Sequence, residues 1–176
     1  LPLGSDTYTD GKISYTMIAQ ICRTLKDFQK MMKEFGVQAW EACATSALRE
    51  AKNRAIVLDQ ILVQTGFRVR ILSNSEQRFL YLKATAMKDR EQFASLVQKG
   101  TVFVDIGGGS MQLSLYDKGE LVTTQNMKLG TLRIHEMLSS VTPDTVDENR
   151  LIEELLGNKL ETFRRLFLKD RKIENL

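Results

Sequence analysis

Val102-Phe103-Val104-Asp105-Ile106-Gly107-Gly108-Gly109-Ser110 is an apolar run that closes on an acid, three glycines and a hydroxyl. Thr101–Val104 has the composition of a buried strand, and Met111–Tyr116 alternates like its hairpin partner. The glycines therefore join two strands. A residue without Cβ tolerates positive φ and lets a ligand approach the main chain, so consecutive glycines allow several N–H groups to converge on one point. Ser110 adds a hydroxyl donor, and Asp105 at the strand end is placed to hold Mg²⁺ directly or through water. This composition suits a bound phosphate. It is also the composition of a glycine-rich hairpin turn with a solvated acid.

Downstream, Asp117-Lys118-Gly119-Glu120 reads as a turn into a third strand, Leu121–Met127. A short helix near Leu132–Leu138 follows, and Thr142-Pro143 starts a long amphipathic one. Upstream, Ser14 caps a helix whose apolar residues recur at helical spacing as far as Gly36. Val37–Cys43 reads as a strand, Ser46 as the cap of a short helix through Asn53, and Ala55–Thr65 as a second helix stopped by Gly66. Phe67–Leu72 alternates as a strand with one wet face, and a helix runs from Glu76 to about Lys88. Asp89–Gly100 is polar with weak helical tendency, which puts the expected domain boundary between residues 1–99 and 100–176. Leu1–Ser5 can be read as linker-derived or as native sequence. The fold class is α/β: alternation in the first half implies a parallel sheet, and the meander in the second half an antiparallel one.

Two further turns between strand and helix carry polar side chains. Ala44-Thr45-Ser46-Ala47-Leu48-Arg49 puts hydroxyls at a helix start with a guanidinium on the first turn, a setting that favours anions. Ordinary capping accounts for the same residues. In Ser73-Asn74-Ser75-Glu76-Gln77-Arg78, a carboxylate could orient a water or simply complement the helix dipole.

Composition narrows the function classes. A chain of 176 residues that is 43% hydrophobic and 27% charged can bury a core and is not a disordered one. A net charge of +3 with interspersed signs argues against a duplex nucleic-acid binder and tolerates a small anionic ligand. Cys22 and Cys43 lack a CxxC spacing, which suggests a reducing compartment, and no apolar run approaches a membrane span of about 20 residues. The cytoplasm is the expected location.

Three separated segments together are similar to one family. Ala44–Asn53, the Ser73–Gln77 turn and Val104–Ser110 resemble the exopolyphosphatase / guanosine pentaphosphate phosphohydrolase family, in the family's order and spacing. Met127-Lys128-Leu129-Gly130 resembles the segment that follows its hairpin. The resemblance implies the actin-like ATPase superfamily, with two ribonuclease H-like domains. It also implies that this chain is a central fragment, starting inside the first domain and ending within the second, with a first phosphate loop upstream of Leu1. The implied activity is release of terminal phosphate from inorganic polyphosphate or guanosine pentaphosphate, with Mg²⁺ as cofactor. Thr45, Ser46, Arg49, Gly107, Gly108, Gly109 and Ser110 would bind phosphate, and Asp105 the metal. A homodimer is compatible with the likeness.

The family pattern reads Gly-x-Glu-Glu-Ala in the second turn, its second Glu being the general base, and Gly-Gly-Gly-Ser-Thr-Glu at the loop. Here those two acids align with Gln77, beside Glu76, and with Gln112. A carboxamide orients water but does not accept a proton at neutral pH. Glu76, Gln77 and Gln112 are thus the catalytic candidates. The alternative is a catalytically weak sensor that binds a phosphate or nucleotide ligand. A sugar- or acetate-kinase relative explains the glycine loop but not Ala44–Arg49.

Overall fold

The structure is a computed structural model that describes residues 1–141 and 147–176. The chain forms two compact units, Leu1–Ser75 and Glu76–Leu176, so the division falls in the first turn of a helix rather than at the expected 99/100.

The first unit comprises α1 (Leu3–Thr9), α2 (Tyr15–Glu34), β1 (Ala42–Ala44), α3 (Ser46–Glu50), α4 (Arg54–Thr65) and β2 (Val69–Ile71). Of the stretch left open between linker and native sequence, residues 3–5 are the start of α1, which packs on α3. α2 begins where Ser14 Oγ accepts from the Met17 amide, and Gly36 (φ 63°) follows it in the left-handed conformation that ends helices. Its apolar stripe places Ile18, Ile21 and Cys22 against Val57 and Ile61 of α4. Gly66 (φ 74°) ends α4 in the same way.

β1 and β2 pair in parallel, Ala42 with Val69 and Ala44 with Ile71, as the alternation of elements implies. Both strands are shorter than their apolar runs: each offers only three residues to the ladder. The short helix ends at Glu50 and not Asn53, because Asn53 has another task. Its carboxamide accepts from the Ile13 amide at 3.0 Å and donates to the Ile13 carbonyl at 2.8 Å, fastening the Gly11–Ile13 turn.

The second unit holds most of α5 (Asn74–Lys88), then α6 (Arg90–Gln98), β3 (Thr101–Ile106), β4 (Met111–Asp117), β5 (Glu120–Met127), α7 (Thr131–Val141) and α8 (Glu148–Phe163). α8 passes into a π-helical turn, Arg164–Leu168. Asp147 caps α8, and the expected start at Thr142-Pro143 lies outside the described residues. α6 is a well-capped helix where only weak tendency was expected: Asp89 accepts from the Gln92 amide, and Phe93 stacks near Phe103 and Tyr116 of the sheet. That packing attaches residues before Gly100 to the second unit.

β3, β4 and β5 form an antiparallel meander. Its hairpin tip has both Lys118 (φ 53°) and Gly119 (φ 81°) in the left-handed region, a geometry that matches strand twist. The Lys118 and Gly119 amides then donate to Gln98 and Val97 carbonyls at the end of α6. Strand alternation splits the sheet into two faces. Val102, Met111, Leu113 and Leu115 form a core with Phe163 of α8. On the other face, register aligns Asp105, Gln112 and Asn126 in one row and Phe103, Ser114 and Thr124 in the next. Among the described residues, no helix is long and apolar enough to cross a membrane.

Candidate functional site

The glycine loop is held from behind. The amides of Thr131 and Arg133, in the first turn of α7, donate to the carbonyls of Gly107 and Gly108, each at 3.0 Å. Arg133 Nε donates to the Gly109 carbonyl at 2.8 Å. All three glycine carbonyls are therefore occupied on the α7 side. The Gly107 amide closes the turn on the Ser110 carbonyl at 2.9 Å. The amides of Gly108, Gly109 and Ser110 have no acceptor among the described residues.

The glycines are not there for positive φ, contrary to the sequence argument: none of the three lies in the left-handed region. Nor does the protein's own packing demand them at two positions. A Cβ on Gly107 would meet only the Ser110 carbonyl oxygen at 3.4 Å, and one on Gly108 only Leu132 Cβ at 3.7 Å. The bare main chain instead leaves room for a ligand. Gly130 is the glycine with a packing reason. A Cβ there would lie 2.4 Å from Gly108 C, Gly109 N and Ser110 N, so the Leu129-Gly130 segment buttresses the loop by backbone contact.

Beside the loop, β3 and β4 set Asp105 opposite Gln112. Burial pushes the Asp105 carboxyl above its ordinary range, with no cation to offset it. Gln112 is only 2% exposed, and among the described residues neither its carboxamide oxygen nor its nitrogen has a hydrogen-bond partner. Both residues line a cavity of about 350 Å³ under α5, together with Arg78, Tyr81, Phe103 and Ser114. Arg78 Nη1 donates to Thr124 Oγ1 at 2.8 Å. Burial raises the Tyr116 hydroxyl's pKa, and the charge of Arg78 partly opposes that. Arg78 and Arg133 were not among the sequence candidates; each acts through a tertiary approach that spacing does not encode.

Other candidates fall elsewhere. Gln77 is buried in the first turns of α5 and Glu76 is exposed, as expected for neighbours about 100° apart on a helix. Neither lines the cavity that holds Asp105 and Gln112. Thr45, Ser46 and Arg49 cluster in the first unit, where β1 meets α3. The Ser46 hydroxyl lies 3.0 Å from that of Tyr8, and Arg49 donates to the Leu72 carbonyl. Thr45 precedes α3 without a side-chain capping bond.

The model of the Ppx/GppA phosphatase family matches residues 1–174. The chain belongs to this family. Exopolyphosphatase 1 of Mycobacterium leprae is 30% identical over 128 residues, which cover 73% of this chain and 36% of that protein. The bifunctional 3-dehydroquinate synthase/phosphatase of Fusobacterium nucleatum is 23% identical over 174 residues, or 93% of this chain and 25% of the relative. Among solved structures, the Ppx/GppA family member of Aquifex aeolicus superposes with a TM-score of 0.61 at 26% identity, covering 92% of this chain and 51% of that one. An exopolyphosphatase of Cytophaga hutchinsonii gives 0.68 at 22% identity, covering 94% and 52%. The chain spans about half the length of these solved Ppx/GppA relatives and about a third of the mycobacterial one. Its mixed α/β fold is that of the Ppx/GppA phosphatases.

The donor set also bears on a metal. Among the described residues, no group of three or more His, Cys, Asp or Glu could enclose an ion. A cage made by the protein alone does not fit. Mg²⁺ held by one carboxylate, with substrate phosphates and water as the other ligands, does fit Asp105 and the unpartnered Gln112 oxygen opposite it.

Proposed function

We propose that the protein is a phosphohydrolase that releases the terminal phosphate of inorganic polyphosphate or guanosine pentaphosphate. One observation carries the reading: the glycine loop turns its three carbonyls to α7 and Arg133, and the amides of Gly108, Gly109 and Ser110 find no main-chain acceptor among the described residues. Donors fixed before the ligand arrives stabilise charge that develops on a transferring phosphoryl group. Asp105 would hold Mg²⁺, which when bound neutralises phosphate oxygens. In the reaction, a water oxygen attacks the terminal phosphorus and the bridging P–O bond breaks. Gln112 can orient that water through its carboxamide oxygen, but the water's proton goes to a phosphate oxygen or to solvent, because a carboxamide does not take it. Thr45, Ser46 and Arg49 contribute a hydroxyl–guanidinium cluster in the first unit, part of which is already engaged with Tyr8 and Leu72. The reading therefore rests on the second unit.

A second reading is favoured by Gln77 and Gln112, two carboxamides where the family pattern has acids: a sensor that binds the same ligands and turns them over weakly. One assay separates the two. The full-length protein with Mg²⁺ is given long-chain polyphosphate and guanosine pentaphosphate, and released phosphate is measured. Sustained release supports the hydrolase. Tight binding without release supports the sensor, and neither binding nor release overturns both.

A further inference from the structure

The cavity beneath α5 has features that a bare metal site does not need. Arg78 enters it from the helix, half-buried, and among the described residues it forms no ion pair with a carboxylate. One of its N–H groups goes to Thr124, which fixes the guanidinium and leaves further donors of the fork. Gln112 faces the same space with an unpartnered carboxamide at 2% exposure, and Ser114 adds a hydroxyl from the next row of β4. Burying that carboxamide unpaired is costly unless a ligand satisfies it. Three side chains that can donate thus line the cavity together with one carboxylate, Asp105.

We infer that Arg78, Gln112, Ser114 and Asp105 form a metal-independent site for a protonated phosphate, in which the three donors hold phosphate oxygens and Asp105 accepts the P–OH hydrogen bond. The inference rests on the phosphohydrolase reading and names what its second unit holds once phosphate is freed. The charge of the Asp105 carboxylate decides the ligand. Near neutral pH, inorganic phosphate carries an acidic P–OH that satisfies Asp105, whereas sulfate offers only acceptors and meets the carboxylate with repulsion. The fork of Arg78 matches two phosphate oxygens, so lysine is a poor substitute.

The test uses the full-length protein in EDTA, titrated calorimetrically with inorganic phosphate and, separately, with sulfate. The expected result is phosphate binding without metal, with sulfate at least about 10-fold weaker. Arg78→Ala should weaken phosphate by about 10-fold or more, and Arg78→Lys by less. Asp105→Asn should bring phosphate and sulfate to similar affinities. Thr124→Val, which only unties the guanidinium, keeps the test usable if Arg78→Ala fails to fold, and should weaken phosphate in the same direction. Phosphate binding that requires Mg²⁺, or that is unchanged in all the Arg78 and Thr124 variants, overturns the inference while leaving the hydrolase reading intact. Loss of both binding and phosphate release in the unaltered protein overturns the hydrolase reading itself.

Discussion

A buried carboxamide with no partner costs about 1–3 kcal/mol, and Gln112 bears that cost in the middle of a sheet. Gln112→Met should therefore raise stability by about 1 kcal/mol in urea unfolding while removing phosphate affinity. A loss of stability would mean that the carboxamide is satisfied in the folded protein. Asp105 gives a second prediction at this scale. Burial raises its carboxyl above the ordinary value of 3.8, so folding favours the protonated form. Its stabilising contribution is full below that ordinary value and is lost as pH rises through the raised one. Asp105→Asn should accordingly melt higher than the parent at neutral pH, and the gap should close on acidification. Thermal unfolding across that range reads it directly. Both residues spend stability on a site, which is the trade expected where function and not packing chooses the side chain.

Among the elements, α7 and the glycine loop behave as one piece. Gly130→Ala would drive a methyl group into the loop's main chain at 2.4 Å, and overpacking of this kind costs about 1–3 kcal/mol. Gly108→Ala meets only Leu132 at 3.7 Å, so it should leave the melting temperature nearly unchanged and still block phosphate. The pair of variants separates the architecture of the loop from its use, through melting and phosphate titration side by side. The loop between two strands could be read from sequence because a strand and a glycine run announce themselves locally. Gly130 and Arg133 could not, since their role exists only once α7 has folded back onto the loop. The same limit explains two boundaries. Val37–Cys43 looked like a strand because it is apolar, yet only Ala42–Ala44 finds a partner in the short β2. Asp89–Gly100 looked weak because its few apolar residues, Phe93 above all, act by reaching Phe103 and Tyr116 rather than by lining a stripe.

At the scale of the whole molecule, alternation and meander correctly separated a parallel first sheet from an antiparallel second one. The candidate residues divide along the same line: Thr45, Ser46 and Arg49 belong to the first unit, and the loop, Asp105 and Gln112 to the second. If the two carboxamides limit turnover, the double variant Gln77→Glu, Gln112→Glu of the full-length protein should release phosphate about 10²-fold faster. Equal rates in variant and parent would show that proton transfer is not the slow step. The loop itself imposes a different kind of choice. Its carbonyl oxygens are taken by α7 and Arg133, so a cation finds none of them free. The backbone sorts ligands by sign of charge, leaving the surrounding side chains to sort among anions.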